Sequence, residues 1–362
     1  MNIHGKLFRL TTFGESHGPY IGGVIDGCPA GLRVDSDEVA HQLARRRGGV
    51  TEGSTARRES DRVDFVSGLL DGITTGTPLA FVIPNEQHRS SDYDRLRDVF
   101  RPSHADYTYT KRYGIRDWRG GGRASARETA VRVVGGAIAR QILREEVGLE
   151  IVSYTSRLGG VGLPDNYLDE IKCADVEASD YGCPDPAIEQ QMKELIRQAR
   201  AVGDSLGGVV STVVRGVPAG WGDPLYDKLS AGLASALMSI NAAKGFELGD
   251  GFALAEMMGS EVNDPFVTNE KGEIRTSTNH SGGIQGGISN GEVIRFRTAF
   301  KPIASIARPQ STVDTDGHPT DLTISGRHDC SVFPRVLPVV DAMTALVLVD
   351  HYLLLRGVRP LS

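Results

Sequence analysis

Thr12-Phe13-Gly14-Glu15-Ser16-His17-Gly18, then an apolar run, then Gly27-Cys28-Pro29-Ala30-Gly31: from this stretch the fold can be read. Two glycine-bounded turns flank a short strand, and the first turn presents a serine and a histidine side by side. The pattern returns downstream as Gly203-Asp204-Ser205-Leu206-Gly207 and Gly216-Val217-Pro218-Ala219-Gly220. Gly203 stands 189 positions after Gly14, and Gly216 stands 189 after Gly27. Glycine, acid, serine and glycine recur, but His17 is answered by Leu206. One copy carries a titratable group where the other carries an apolar one.

Working outward, Lys6 to Phe13 alternates apolar and polar residues and predicts a strand, and Ile21 to Ile25 predicts its neighbour. Asp35-Ser36-Asp37-Glu38 starts a helix with Val39 and Leu43 on its buried stripe; Arg45-Arg46-Arg47 end it, with cations at the negative pole. Val63 to Ile83 reads as strand, turn and strand. Phe100 to Arg123 reads as mostly loop, and Ala124 to Val147 has helical spacing. The segment 151–161 is a further strand candidate, and Ile188 to Val202 an amphipathic helix. Val209 to Val214 predicts a strand, and Leu225 to Ala242 and Val336 to Leu355 predict helices. Gly283, Gly287 and Gly291 each follow Gly68, Gly72 and Gly76 by 215 positions. We read an ancient duplication with halves 1–150 and 195–362 and a connector at 151–194. The expected fold is α+β and layered, its strands antiparallel and its long helices covering one face of them.

Composition narrows the function classes. The chain has 362 residues with a net charge of −6, which does not favour general nucleic-acid binding. No run of about 18 apolar residues is visible, so no membrane partner is expected. Met1-Asn-Ile-His-Gly-Lys6 lacks the apolar core of a secretory signal, and the expected location is cytoplasmic. Cys28, Cys173, Cys183 and Cys330 form no Cys-x-x-Cys pair, which points to reduced thiols and no metal site. Neither a phosphate loop of the Gly-x-x-x-x-Gly-Lys type nor a dinucleotide fingerprint occurs in the required context.

Three stretches could carry chemistry. Phe100-Arg101-Pro102-Ser103-His104-Ala105-Asp106-Tyr107 supplies a second histidine, flanked by an arginine and a carboxylate. From Arg101 to Arg127 lie six arginines and Lys111 against Asp106 and Asp117. The last part, Arg119-Gly-Gly-Gly-Arg123-Ala124-Ser125-Ala126-Arg127, runs into a helix start. There, free N–H groups and arginine forks suit phosphate or carboxylate. A solvated basic face or an RNA surface is the alternative reading of the same charges. Late in the chain, Ser325-Gly326-Arg327-His328-Asp329-Cys330 sets a cation, an imidazole and a carboxylate in sequence, or else a structural ion pair.

Taken in order, these motifs resemble the chorismate synthase family. Met238-Ser-Ile-Asn241-Ala242, Asn279-His280-Ser-Gly-Gly-Ile-Gln-Gly286 and Lys301-Pro302 complete the set over essentially the whole chain. The resemblance implies conversion of 5-enolpyruvylshikimate 3-phosphate to chorismate and phosphate by 1,4-anti elimination. It implies reduced FMN, an external flavin reductant, association with NADP, and a homotetramer. Each subunit would place central helices between two four-stranded antiparallel sheets. By the same resemblance, His17 would protonate the departing phosphate, His104 would face the flavin, and Asp329 would assist proton handling. Ser16 and Ser125 would support them. Arg46, Arg101, Ser125, Arg127 and Arg327 would hold substrate anions. Arg123, Ala124, Ser125, Asn241, Ala242, Gly286, Lys301, Pro302, Ile303, Ala304, Ser305 and Arg327 would contact the cofactor. Two positions depart from the family pattern: Glu52 stands where a cation is common, with Arg57 or Arg58 as possible compensation, and Ala124 replaces a frequent serine. Two other readings fit parts of the sequence: a flavin-independent acid/base enzyme on a phosphorylated metabolite, using His17 and His104, and an RNA-binding module built on the arginine loop.

Overall fold

The computed structural model describes residues 1–47, 59–86, 96–324 and 329–357. Glu52, Arg57, Arg58 and Arg327 lie outside the described residues.

The first sheet contains β1 (Arg9–Phe13), β2 (Tyr20–Asp26), β3 (Asp64–Ser67) and β4 (Leu79–Pro84), in the order β1-β2-β4-β3. All pairings are antiparallel, with Phe13 opposite Gly22 and Tyr20 opposite Pro84. The second contains β5 (Glu150–Leu158), β6 (Gly208–Arg215), β7 (Ala243–Leu248) and β8 (Ile294–Phe300), in the order β5-β6-β8-β7. It too is antiparallel throughout. Each sheet gains a fifth, two-residue strand at one edge, Ile3–His4 beside β1 and Val161–Gly162 beside β5. The four-stranded expectation thus describes each sheet apart from that short edge. Two small hairpins repeat the glycine spacing. Leu69–Leu70 pairs with Ile73–Thr74, and Ile284–Gln285 pairs with Ile288–Ser289.

Local sequence explains these elements. In β4 and β8 every second side chain is buried, the pattern of a strand with one face on a core. Helix α1 (Ser36–Arg46) begins where the Asp35 side chain accepts from the Glu38 amide at 3.0 Å. Within the stretch read as loop, Asp106–Tyr113 forms a short helix, α2. Its sequence, Asp-Tyr-Thr-Tyr-Thr-Lys-Arg-Tyr, has little apolar periodicity because only Asp106 among its residues is buried. Helix α3 (Thr129–Val147) starts later than expected, after two 3₁₀ turns, and ends at Gly148 in the left-handed region. Helices α4 (Pro186–Ala201), α5 (Leu229–Met238) and α6 (Leu337–Gly357) follow. Strand β5 falls at the start of the stretch read as connector, yet it pairs with β6 over its whole length. Its residues Ile151–Thr155 are all buried, so the polar-apolar alternation that marks a one-sided strand is missing.

Helices α3 and α6 form the middle layer. A Cβ on Gly136 would lie 2.3 Å from the Ala342 Cα, so the two helices meet backbone to backbone there. A Cβ on the adjacent Gly135 would come within 2.9 Å of Leu10 in the first sheet. By length and composition α6 is apolar enough to cross a bilayer, but 83% of its apolar window is buried in the fold. It escapes a count of uninterrupted apolar residues because Asp341, Asp350 and His351 punctuate it. Asp350 accepts the backbone N–H groups of Lys6, Leu7 and Phe8 at 2.9, 2.6 and 2.9 Å, tying the chain's two ends together. The Asn279-His280 motif is organised by Asp264. Its carboxylate accepts from the His280 and Ser281 amides and from the Thr278 and Ser281 hydroxyls.

Candidate active site

A cavity of about 470 Å³ is lined by residues from both the 1–150 and the 195–362 stretches of the chain, within the size range of small-molecule and cofactor sites. The first half supplies Arg46, Arg47, Glu59, Arg101, Ser103, His104 and the segment Ala124–Arg127. The second supplies Asn241, Ala242, Lys301, Ile303–Ser305, Asp329 and Arg335. Most of the residues named from sequence thus share one wall.

The cations are held from behind by carboxylates. Asp61, 4% exposed, pairs with Arg46 at 3.1 Å and also with Arg127. Burial pushes the Asp61 carboxyl up, but the two guanidinium groups prevail and hold it below its usual range. Burial also draws Arg46 down to about 10. Arg127 donates in addition from Nε to Asn85 Oδ1 at 2.8 Å and from Nη2 to the Pro84 carbonyl at 3.0 Å. Arg101 grips Asp106 through Nε and Nη2, both at 2.8 Å. These arginines are therefore buried and paired, not spread over a solvated face.

His104 lines the cavity, and its Nδ1 lies 2.9 Å from Asp106 Oδ1. His17 and Ser16 are buried, 5% and 2% exposed, with Ser16 Oγ 3.1 Å from His17 Nδ1. His17 is not on the cavity wall itself. It lies directly behind Gly120, which is: a Cβ there would fall 2.2 Å from His17 Cε1. Gly121 faces His104 Cε1 in the same way at 3.0 Å. The triple glycine thus threads between the two imidazoles, which requires residues without side chains and with positive φ, +66° and +92°.

Asn241 donates to the Ala124 carbonyl at 2.9 Å, so only the backbone of Ala124 is used here. Its own Oδ1 is buried with no hydrogen-bond partner, as is Arg46 Nε. Burial and the neighbouring Lys244 hold the Lys301 amine below its usual range. Ser205, the echo of Ser16, donates to the Ile303 carbonyl at 2.7 Å and so braces the cavity wall. Asp329 pairs with Arg335, whose Nε also donates to the Arg46 carbonyl at 3.0 Å.

Three residues named from sequence sit elsewhere. Arg123 turns to the end of β1, donating to Thr12, Gly14 and Asn2. Gly286 is the exposed tip of the Ile284–Ser289 hairpin, and Pro302 lies in the segment without lining the cavity. Conversely, Asp61, Asn85, Asp106, Glu59 and Arg335 were not singled out as site residues. Asp106 had a signal, standing two positions after His104 in a quoted motif. Asp61 and Asn85 had none, because their partners are distant in sequence.

Non-glycine residues in the left-handed region gather here. Asp61 (φ +52°), Ser103 (+56°) and Ala242 (+67°) all belong to the site, with Asp71 in a hairpin as the fourth among the described residues.

Fold and cavity define a class: a sheet–helix–sheet α+β protein whose cavity gathers arginines and a lysine with an imidazole and carboxylates. Comparison with known proteins sharpens this. Residues 8–353 match the family described as chorismate synthase. The chorismate synthase of Porphyromonas gingivalis is 56% identical over 359 residues, 99% of this chain and 97% of that protein. That of Chloroflexus aggregans is 52% identical, over 99% of this chain and 97% of its own. A crystal structure of chorismate synthase superposes with a TM-score of 0.78 at 30% identity, covering 98% of this chain and 94% of that one. The chain belongs to the chorismate synthase family. It is a carbon–oxygen lyase of the shikimate pathway.

Proposed function

We propose that the cavity converts 5-enolpyruvylshikimate 3-phosphate to chorismate and phosphate by 1,4-anti elimination with reduced FMN. The observation that carries this reading is the shared wall: Arg101, His104 and Ser125 face Asn241, Lys301 and Asp329 around one cavity. The residues fit a flavin. Asn241 Oδ1 is a buried acceptor in want of a donor, and Ala242 and Lys301 line the same cavity. Ala124, Ser125, Asn241, Ala242, Lys301 and Ile303–Ser305 would hold it. Bound reduced FMN supplies transient electron density that makes a weakly acidic C–H removable.

The chain's own groups do the rest. Arg46 and Arg101, with Arg47 and Arg335, attract the substrate's phosphate and carboxylate groups. With Ser16 Oγ at its Nδ1, His17 would act through Nε2 on the departing phosphate oxygen. Asp329, paired with Arg335, would take up a proton on its side of the cavity. The buried pairs behind the wall hold the cationic field in place before substrate arrives, so little reorganisation is needed during reaction.

We extend the reading to a cytoplasmic homotetramer served by an external flavin reductant, with NADP on the reductant side. Phe252, Met258, Phe266 and Ile274 are exposed and supply apolar surface for subunit contacts. The test is anaerobic incubation with substrate, FMN and dithionite. Phosphate and chorismate should form together, and oxidised FMN should give neither. Equal turnover without flavin would replace this reading by an acid/base enzyme.

A further inference from the structure

We propose that Asp106 is a positioning residue that sets the tautomer of His104 and, through the same carboxylate, the fork of Arg101. The inference rests on the reading that His104 serves the flavin side of the site, but its geometry stands independently. Asp106 is 3% exposed and heads helix α2, two residues beyond His104. One oxygen, Oδ2, accepts from the Arg101 backbone amide at 3.1 Å and from Arg101 Nε at 2.8 Å. The other, Oδ1, accepts from Arg101 Nη2 at 2.8 Å and meets His104 Nδ1 at 2.9 Å, with Arg116 Nη1 3.2 Å away.

Burial alone would push this carboxyl up, but its bonds to Arg101 and His104 hold it far below the usual carboxylate range. It is therefore an acceptor only. An acceptor facing Nδ1 requires Nδ1 to carry hydrogen. The neutral imidazole then keeps its lone pair on Nε2, and every proton the ring gains or gives passes through Nε2. That nitrogen lies at the edge facing Gly121, where a Cβ would come within 3.4 Å of it.

The surrounding charges make the carboxylate decisive. Arg101 and Arg116 approach from behind. Arg46, Arg47, Arg127, Lys301 and Arg335 line the same cavity, with Glu59 and Asp329 as its carboxylates. Asp106 is the carboxylate in hydrogen-bond contact with the ring. Without it, His104 would face cations at close range, with nothing to choose between its two nitrogens. Arg101 would lose its anchor at the same moment. Substrate grip and proton placement thus share one buried oxygen pair.

The experiment is ¹⁵N NMR of the full-length protein with labelled histidine, with His104 assigned from the signal absent in His104→Gln. Wild type should show Nδ1 protonated and Nε2 unprotonated in the neutral ring. An Nε2–H tautomer in wild type overturns the proposal whatever the variants do. In Asp106→Asn, whose amide can turn either an acceptor or a donor toward Nδ1, a second tautomer should appear in the neutral ring. Asp106→Glu should restore the single Nδ1–H tautomer in part. A folded Asp106→Asn protein with the wild-type tautomer as its sole form also overturns it. Neither FMN nor substrate is present, so a failed turnover assay strikes the functional reading and leaves this one standing, and the reverse holds equally.

Discussion

Asn85 joins Arg127 to the His17 turn. Its Oδ1 accepts from Arg127 Nε at 2.8 Å, while its Nδ2 donates to the carbonyls of Glu15 and Gly18 at 3.1 and 2.8 Å. One amide therefore sets both an arginine of the cationic wall and the two residues flanking Ser16-His17. Asn85→Ala would strand a guanidinium nitrogen and two carbonyl oxygens. We expect a loss of about 2–4 kcal/mol in stability by urea unfolding, with turnover reduced further than His17-independent substrate binding. Asn85→Asp should keep the arginine contact but turn an oxygen toward both carbonyls. If it matches wild type in turnover, the bridge to the His17 turn carries no weight.

A second prediction concerns the glycine behind which His17 lies. In Gly120→Ala the new Cβ would fall 2.2 Å from His17 Cε1, at a φ of +66°. The imidazole must move. Turnover should drop by about 10²-fold or more, the scale of a lost general acid, alongside His17→Ala. Flavin binding, measured by fluorescence quenching, should survive in His17→Ala because His17 does not line the cavity that the flavin-holding residues line. Wild-type turnover in either variant would remove His17 from the reaction.

These two cases also show what sequence could and could not reveal. The turn, the serine–histidine pair and its echo were legible because they are contiguous, and the 215-residue glycine spacing marked two matching hairpins. The basic loop was legible as charge. Its inward orientation was not, because Asp61 and Asn85 reach Arg127 from 66 and 42 positions away. Strand β5 was legible as a strand candidate at 151–161, but not as a full member of the second sheet, because a strand buried on both faces shows no alternation to mark its partners. Gly286 and Arg123 were grouped with the site by motif, and motif order carries no information about which face of a hairpin or strand a residue occupies.

The acid limb of stability should involve Asp264. Burial raises its carboxyl, but hydrogen bonds from Ser281, Thr278 and His280 prevail and draw it down from 3.8 to about 2. A depressed carboxyl binds its proton in the unfolded chain first. Its contribution is therefore complete above about pH 4 and fades as pH falls toward 2. Asp264→Asn should lower the thermal midpoint at pH 6 and converge on wild type near pH 2. A gap that stays constant across this window would show that the carboxylate charge is not what holds the turn.

Ala242 offers a test of strain. An L-residue at φ +67° costs about 1–2 kcal/mol relative to glycine, and glycine gives back about 0.4–1 kcal/mol through the freer unfolded chain. Ala242→Gly should be more stable by about 0.5–1 kcal/mol in denaturant unfolding. A destabilised variant would mean that the alanine methyl contributes packing at the cavity rim that outweighs the backbone cost.

The contact between Asp350 and the amides of Lys6, Leu7 and Phe8 has a consequence for synthesis. Asp350 leaves the ribosome 344 residues after Lys6, and α6, which fills the space beside Gly136, leaves with it. A nascent chain lacking α6 has no partner for the buried face of α3 and no cap for its N-terminal segment. The first half must wait, open, until the second is complete. A stop codon before residue 337 should therefore yield material for chaperones and proteases, not a smaller folded domain.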